Sequence, residues 1–213
     1  MFSILSDRAF VVTLCELDFQ IAEWFRQQGC RFCSGRLHSA RYPRKPRFTT
    51  EVDHSEWTRR WSFCCAREKC RRRTTPPSMR FLGRRVWPGV VVVIVSALDQ
   101  VFGSEEAEAK CRDLGMAKKT VSRWRDWWRD SFPRSPLWYL ERSRFSPPPP
   151  KDADLPAELI SRFGQPSKPL THFRVLQFLL PLTMSFKFSN NRDFLRGVIN
   201  PQRMSRGLQE EVT

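Results

Sequence analysis

No stretch of this chain is apolar for long enough to cross a bilayer. The longest run, residues 90–95 extended through Ala97 and Leu98, falls far short of the ~20 residues a spanning helix needs and reads as a buried helix or strand. The first 25 residues contain Asp7, Glu16, Asp18 and Glu23 and no basic start ahead of an apolar block, so no secretory signal is visible. The expectation is a cytoplasmic or nucleoid setting with no membrane partner, in which thiols stay reduced. Also missing are a glycine-rich phosphate loop, a G-x-S-x-G and an H-E-x-x-H. Beyond the prolines at 147–150 the acids are Asp152, Asp154, Glu158, Asp193, Glu210 and Glu211. That segment is too short for the separate α/β domain that a two-metal carboxylate site requires, and we expect no catalytic activity.

Acid is scarce overall, with 22 Asp and Glu against 37 Lys and Arg, a net charge of +15 and a pI near 10.3. Such a balance implies a polyanionic partner, because neutralising phosphates releases counterions. The excess is concentrated: residues 30–86 hold 16 basic and 4 acidic side chains and five of the seven cysteines. With 40% apolar residues, eight Trp and 17 Phe, the chain can build real cores.

Cys30 and Cys33 stand two residues apart with Gly35 close behind, a spacing that lets both thiolates reach one tetrahedral Zn²⁺. Trp61, Ser62 and Phe63 read as a strand entering a second knuckle, which pairs Cys65 with Cys70 and leaves Cys64 as the alternative to Cys65. Cysteine pairs about 30 residues apart are the layout of a zinc ribbon, held together by its metal. Unrelated buried thiols and a redox pair are the rivals, the latter without the βαβ pattern it would accompany. His38 and His54 are possible substitute ligands. Around the knuckles, RYPRKPR (41–47) and RRRTTPPSMRFLGRR (71–85) combine Arg with Pro, which keeps basic segments extended along a phosphate backbone. Trp57, Trp61, Phe63 and Phe81 offer rings for stacking or for a core.

The stretch 103–130 reads as two short helices. Ser104, Glu105 and Glu106 start the first and Gly115 ends it, with Ala107, Cys111 and Leu114 on one face. In the second, Ala117, Val121, Trp124 and Trp128 share one side, while Lys118, Lys119, Ser122, Arg123 and Asp126 lie away from it. The words LGMAKKTVSRW resemble the L-G-x-S-x-x-T-V-x-R-W pattern of helix-turn-helix domains in bacterial transposases, resolvases and related regulators. The departure is Ala117, where the family carries Ser or Thr as the helix cap. LHSARYPRKPR (37–47) and FCCAREKCRRRTTPPSMRFLGRR (63–85) resemble a bacterial family of mobile-element-associated proteins. A zinc ribbon followed by a helix-turn-helix resembles the DNA-binding region of insertion-sequence transposases. The resemblance implies four thiols as zinc ligands, a DNA-reading helix face and a bacterial nucleoid-associated protein.

The remaining expectations follow in chain order. Residues 1–29 read as two short helices separated near Asp18, covering the basic window. Residues 86–100, although rich in β-branched side chains, read as the first helix of a three-helix domain. Ser135 and Pro136 start another helix with Leu137, Trp138, Leu140 and Phe145 as apolar contacts. The prolines at 147–150 read as a stiff linker or domain edge. Helices are expected over 155–163 and 170–182, and a loose tail from Ser189. The fold class is therefore α+β: a small β zinc ribbon (30–86) after the helical cover, a mainly α helix-turn-helix domain (87–146), the linker, and a short helical C-terminal extension (151–213). The functional expectation is a non-catalytic, zinc-containing protein that binds double-stranded DNA, a mobile-element accessory protein or transcriptional regulator, with a transposase or other protein as a further partner. Its metal ligands are Cys30, Cys33, Cys65 and Cys70. Its DNA contacts are Lys118, Lys119, Ser122 and Arg123 for bases and Arg71, Arg72 and Arg73 for phosphates. The rivals are an RNA-binding zinc protein, a metal-dependent nuclease, and a protein–protein adaptor using the apolar helix 170–182.

Overall fold

Asp7 starts the first helix: its side chain accepts the Phe10 N–H at 3.0 Å, which caps an otherwise free donor. A computed structural model of the chain describes residues 4, 7–43, 57–82, 88–98, 104–113, 115–150, 152–164 and 168–183. Among the described residues are seven α-helices and one three-stranded antiparallel sheet, an α+β composition. The chain divides into two compact units, Met1–Pro88 with Leu176–Thr213, and Gly89–Val175.

In the first unit, helix α1 (Arg8–Gln27) runs without interruption through Asp18, where the sequence suggested a break. Phe10, Leu14, Leu17 and Ile21 recur at helical spacing and are buried, and Asp18 lies among them. The carboxylate is compatible with this interior because it is fully engaged. It accepts from Ser78 Oγ (2.6 Å), the Met79 N–H (2.5 Å) and Arg80 Nε (2.7 Å). Arg80 in turn donates to the carbonyls of Trp57 (2.9 Å) and Arg59 (2.8 Å). Both residues are only 3% exposed. A charge this deep is tolerable only when paired and hydrogen-bonded. Arg80 is thus an internal cation, and the stretch 76–80 is buried rather than running along a phosphate backbone.

Strands β1 (Leu37–Pro43), β2 (Arg59–Cys65) and β3 (Arg73–Thr74) pair in the order β1-β2-β3, with Leu37 opposite Cys65 and Phe63 opposite Thr74. Side chains alternate across a strand, so Leu37, Phe63 and Cys65 share the inner face. They cluster there with Ala22 of α1 and Cys30. Trp57, Phe63 and Phe81 serve the core; Trp61 is half-buried, with the Arg41 guanidinium 4.9 Å from its ring centre. Arg41 to Pro43 belong to β1 rather than to a loop, while 44–47 and 83–85 lie outside the described residues.

In the second unit, α2 (Gly89–Ser96) is buried along its whole length despite its β-branched content, and Ser96 Oγ returns a hydrogen bond to the Val92 carbonyl (2.7 Å). Helix α3 (Ser104–Asp113) ends at Gly115, whose φ of +65° is the left-handed conformation that glycine accepts without strain. The Met116 N–H bonds to Cys111 O (2.9 Å) and the Gly115 N–H to Arg112 O (2.8 Å), a Schellman termination. Helix α4 (Lys118–Asp126) follows after four residues and continues into a π-helical turn, Trp127–Ser131. Ala107 and Cys111 of α3 are buried, as are Val121, Trp124 and Trp128, and α4 packs against both α2 and α3. Ala117 is exposed instead of sharing that buried side, and Leu114 lies outside the described residues.

Ser135 caps α5 (Pro136–Glu141) by accepting the Trp138 N–H at 3.2 Å, and Trp138 is buried. Leu140, expected as an apolar contact, points to solvent, because a helix of six residues buries one narrow stripe. The four prolines sit inside this unit rather than between modules. Proline-rich backbone leaves its carbonyls free as acceptors. Arg142 donates to Pro149 O at 2.9 Å, and Arg162 to Pro147 O. Helices α6 (Ala157–Arg162) and α7 (Lys168–Leu179) complete the described elements with a 3-10 turn, Leu180–Thr183. The tail expected from Ser189 lies outside the described residues, among which no helix is long and apolar enough to cross a membrane.

Candidate metal centre and basic surfaces

Two tight turns of the same shape bring four sulfurs together. In the first, between α1 and β1, the Cys33 and Ser34 N–H groups both donate to Cys30 O (3.2 and 2.6 Å). In the second, between β2 and β3, the Cys70 and Arg71 N–H groups both donate to Arg67 O (3.0 and 3.0 Å). Each turn closes on a left-handed residue, Ser34 at φ 54° and Arg71 at φ 44°. The Cys30 N–H donates to Gly35 O (2.8 Å) and the Cys65 N–H to Arg72 O (3.0 Å), so each upstream cysteine is tied to the segment that leaves its turn, just ahead of the next strand. The first turn starts at its own cysteine, whereas the second starts two residues past Cys65, and this offset accounts for the longer spacing of the second pair. Gly35 does not supply a turn conformation. A Cβ there would lie 2.9 Å from Arg67 Cγ, so its bareness lets the two turns touch.

Cys30 Sγ lies 3.7 Å from Cys70 Sγ, Cys33 Sγ 3.5 Å from Cys65 Sγ, and all four sulfurs fall within 4.8 Å of one another. A disulfide would require about 2.05 Å, and all seven cysteines are free. Tetrahedral coordination at a metal–sulfur distance of ~2.3 Å places sulfurs about 3.8 Å apart, near the Cys30–Cys70 and Cys33–Cys65 separations. The four thiols can therefore hold one metal ion. Backbone N–H groups of the turns converge on the sulfurs: that of Phe32 holds Cys30 down to about 7 against its burial, assisted by that of Cys33. Burial pushes Cys65 up to about 12, although the Arg67 N–H opposes it. For Cys70 the Arg72 N–H lowers the pKa, but burial and the thiols of Cys33 and Cys30 outweigh it and the net shift is upward. A cation takes the place of the shared protons in such a cluster, and the turn amides orient and stabilise its ligands.

Cys64 faces away from the site and toward the Arg71 carbonyl (3.5 Å), as alternation along β2 demands, so Cys65 is the member of this set. His38 pairs with Cys64 in the sheet, is exposed and stands outside the cluster; His54 lies outside the described residues. One feature escaped the sequence. Phe32, a mere spacer in Cys-x-x-Cys, projects from the first turn with Arg31 and Arg72 guanidinium carbons 4.3 and 4.1 Å from its ring centre. Its signal was an aromatic side chain at a turn tip within a run of arginines.

The structure places Arg71, Arg72 and Arg73 on the surface of the first unit. It places Lys118, Lys119, Ser122 and Arg123 on the exposed side of α4 in the second. They are not equivalent. Lys118 is paired with Glu108 of α3 at 2.9 Å, which lowers the carboxyl's pKa, and Ser122 donates to Asp126 at 3.4 Å. Arg123 donates to the Lys119 carbonyl at 3.3 Å, and neither Lys119 nor Arg123 has an acidic partner among the described residues.

Fold and site together define a class no finer than an α+β chain with a four-thiol site for one metal ion and a helical unit that exposes a basic helix face. No protein-family model, no curated protein and no solved structure matches the chain.

Proposed function

We propose that this protein is a non-catalytic, zinc-containing, double-stranded-DNA-binding protein, in which the four-thiol unit is a zinc ribbon and α3, its turn and α4 are a helix-turn-helix. The observation that carries the reading is the pair of cations Lys119 and Arg123, without an acidic partner among the described residues, one turn apart on the exposed side of a helix whose other side is buried against α2 and α3. A helix held that way can enter a major groove, where Lys and Arg favour the acceptors of guanine. Zinc is the favoured ion because four cysteine thiolates in a tetrahedral arrangement suit a soft, four-coordinate metal. The exposed Arg71, Arg72 and Arg73 supply phosphate contacts that fix register without reading sequence. The biological role that fits is an accessory protein of a mobile element or a transcriptional regulator, with a transposase or other protein as a further partner. The adaptor reading is less favoured, since Phe173, Val175, Leu176, Leu179 and Leu180 of the apolar C-terminal segment are already buried.

Metal analysis of the purified chain, together with competition between duplex DNA and RNA in gel shifts, tests the proposal. One zinc per chain and preference for the duplex are the expected results. For DNA, Arg123→Ala should weaken a selected site by about 1–3 kcal/mol more than random duplex, whereas replacing Arg71, Arg72 and Arg73 should weaken both alike and flatten the salt dependence. Equal losses on both duplexes for Arg123→Ala would remove base reading from α4.

A further inference from the structure

The tip of the first cysteine turn has a surface that zinc binding does not use and that duplex reading by α4 does not need. Phe32 is 44% exposed even with two guanidinium groups over its ring, while Trp57, Phe63, Phe81, Phe10 and Phe173 are buried and Phe19, at 46%, lies against Trp61. A phenylalanine left in water at a turn tip adds little to the core. The two turns and their flanks also carry the exposed Arg36, Arg67, Arg71, Arg72 and Arg73, and the only acid in either turn is Glu68. We infer that Phe32 is a stacking platform for an unpaired nucleobase, with Arg31 and Arg72 contacting the phosphates on either side, so that this unit takes single-stranded nucleic acid.

The chemistry fits a single strand better than a duplex. A base free of its own stack can replace one of the two guanidinium groups on the ring's face, or stack on a guanidinium plane itself. Bases inside a duplex present only their edges, which a ring without donors or acceptors cannot read. Cation–π attraction keeps Arg31 and Arg72 at the ring in the free protein, and a guanidinium that yields its place to a base remains within a side chain's reach of the flanking phosphates. Arg72 does this from the second turn and Phe32 from the first. The contact therefore spans the two turns that carry the thiols, and the platform exists only while both are folded. Neither ring nor guanidinium reads a 2′-hydroxyl, so the shared ligand is an unpaired nucleotide of DNA or RNA.

The test uses the full zinc-loaded chain with oligothymidylate and oligouridylate of about 15 nucleotides and a duplex control, followed by fluorescence anisotropy at one fixed salt concentration. Phe32→Ala should weaken both single strands about 10- to 100-fold and the duplex by less than about threefold. Phe32→Trp should bind the single strands at least as well as the parent, and Phe32→Leu, which keeps the apolar bulk without the ring, should bind as poorly as the alanine variant. Zinc content, measured on every variant, shows that the turns are intact; should the alanine variant lose zinc, the Leu and Trp pair decides. A loss on only one of the two oligomers would support the platform and assign it to that nucleic acid. Single-strand affinities within about twofold of the parent for zinc-loaded Phe32→Leu would overturn it. Because Lys119→Ala with Arg123→Ala should affect the duplex alone, failure of duplex binding and failure of this inference are separate results.

Discussion

Cys64 and Cys65 are adjacent in sequence and opposite in direction, and that one-residue difference decides which thiol can join Cys30, Cys33 and Cys70. Cys65→Ser should lower the zinc content well below one per chain, whereas Cys64→Ser should leave it at one, as measured by atomic absorption on the purified variants. Retention of metal by Cys65→Ser would show that the turns can slip by a residue. The sequence favoured Cys65, since Trp61, Ser62 and Phe63 announce a strand entering the second knuckle, but left Cys64 open; which of the two neighbours faces Cys30 depends on the pairing of β2 with β1. Asp18 was not legible. A lone carboxylate among Phe, Leu and Ile reads as a helix boundary, and the partner that makes it an interior residue, Arg80, stands in what looked like a basic run. Asp18→Asn should destabilise the first unit by about 3–5 kcal/mol, because a guanidinium is left buried without its counter-charge. Replacing both residues by apolar ones of similar size should cost less than the single change, and urea unfolding of the three variants would show whether it does.

Among the elements, α3 and α4 follow most directly from the residues that bound them. Gly115 takes the left-handed conformation where the first apolar stripe ends, and a Cβ added there would meet nothing within 4 Å. Gly115→Ala should therefore cost only the backbone term, about 1–2 kcal/mol, and Gly115→Asn less, since Asn tolerates this region better. Ala117 precedes α4 with an extended φ, ψ of −67°, 131° and no side-chain hydrogen bond, so the helix starts with uncapped N–H groups. Ala117→Ser should raise the stability of the second unit by about 1 kcal/mol, read as a higher urea midpoint. An unchanged midpoint would mean that water already satisfies those donors. Other elements were harder to read for a physical reason. The prolines at 147–150 have the composition of a linker, and only Arg142 and Arg162, donors distant in sequence, turn their carbonyls into internal anchor points.

At the scale of the molecule, the chain leaves its first unit at Pro88 and rejoins it from Leu176, so the first unit is discontinuous in sequence. The Ser78 N–H bonds to Thr183 Oγ1 at 3.0 Å, joining segments 105 residues apart, and no local pattern of charge or hydropathy encodes such a closure. The division has a thermodynamic consequence. The thiols, β2 and α1 share one core cluster, whereas Val121, Trp124 and Trp128 are buried in a unit that contains none of the four ligands. Metal affinity in a small thiolate site is folding free energy, on the order of 10 kcal/mol, and it is available only to the part of the chain that closes around the ion. Stripping the proposed zinc with a chelator under reducing conditions should therefore abolish hydrogen-exchange protection in β1, β2 and both cysteine turns. The amides of α3 and α4 should keep theirs, because the Schellman turn and the packing of α2 on α4 do not involve the ion. Protection lost from α4 at the same chelator concentration as from β2 would make the two units one cooperative structure. Metal would then control any duplex binding by α4 as well as the shape of the four-thiol unit.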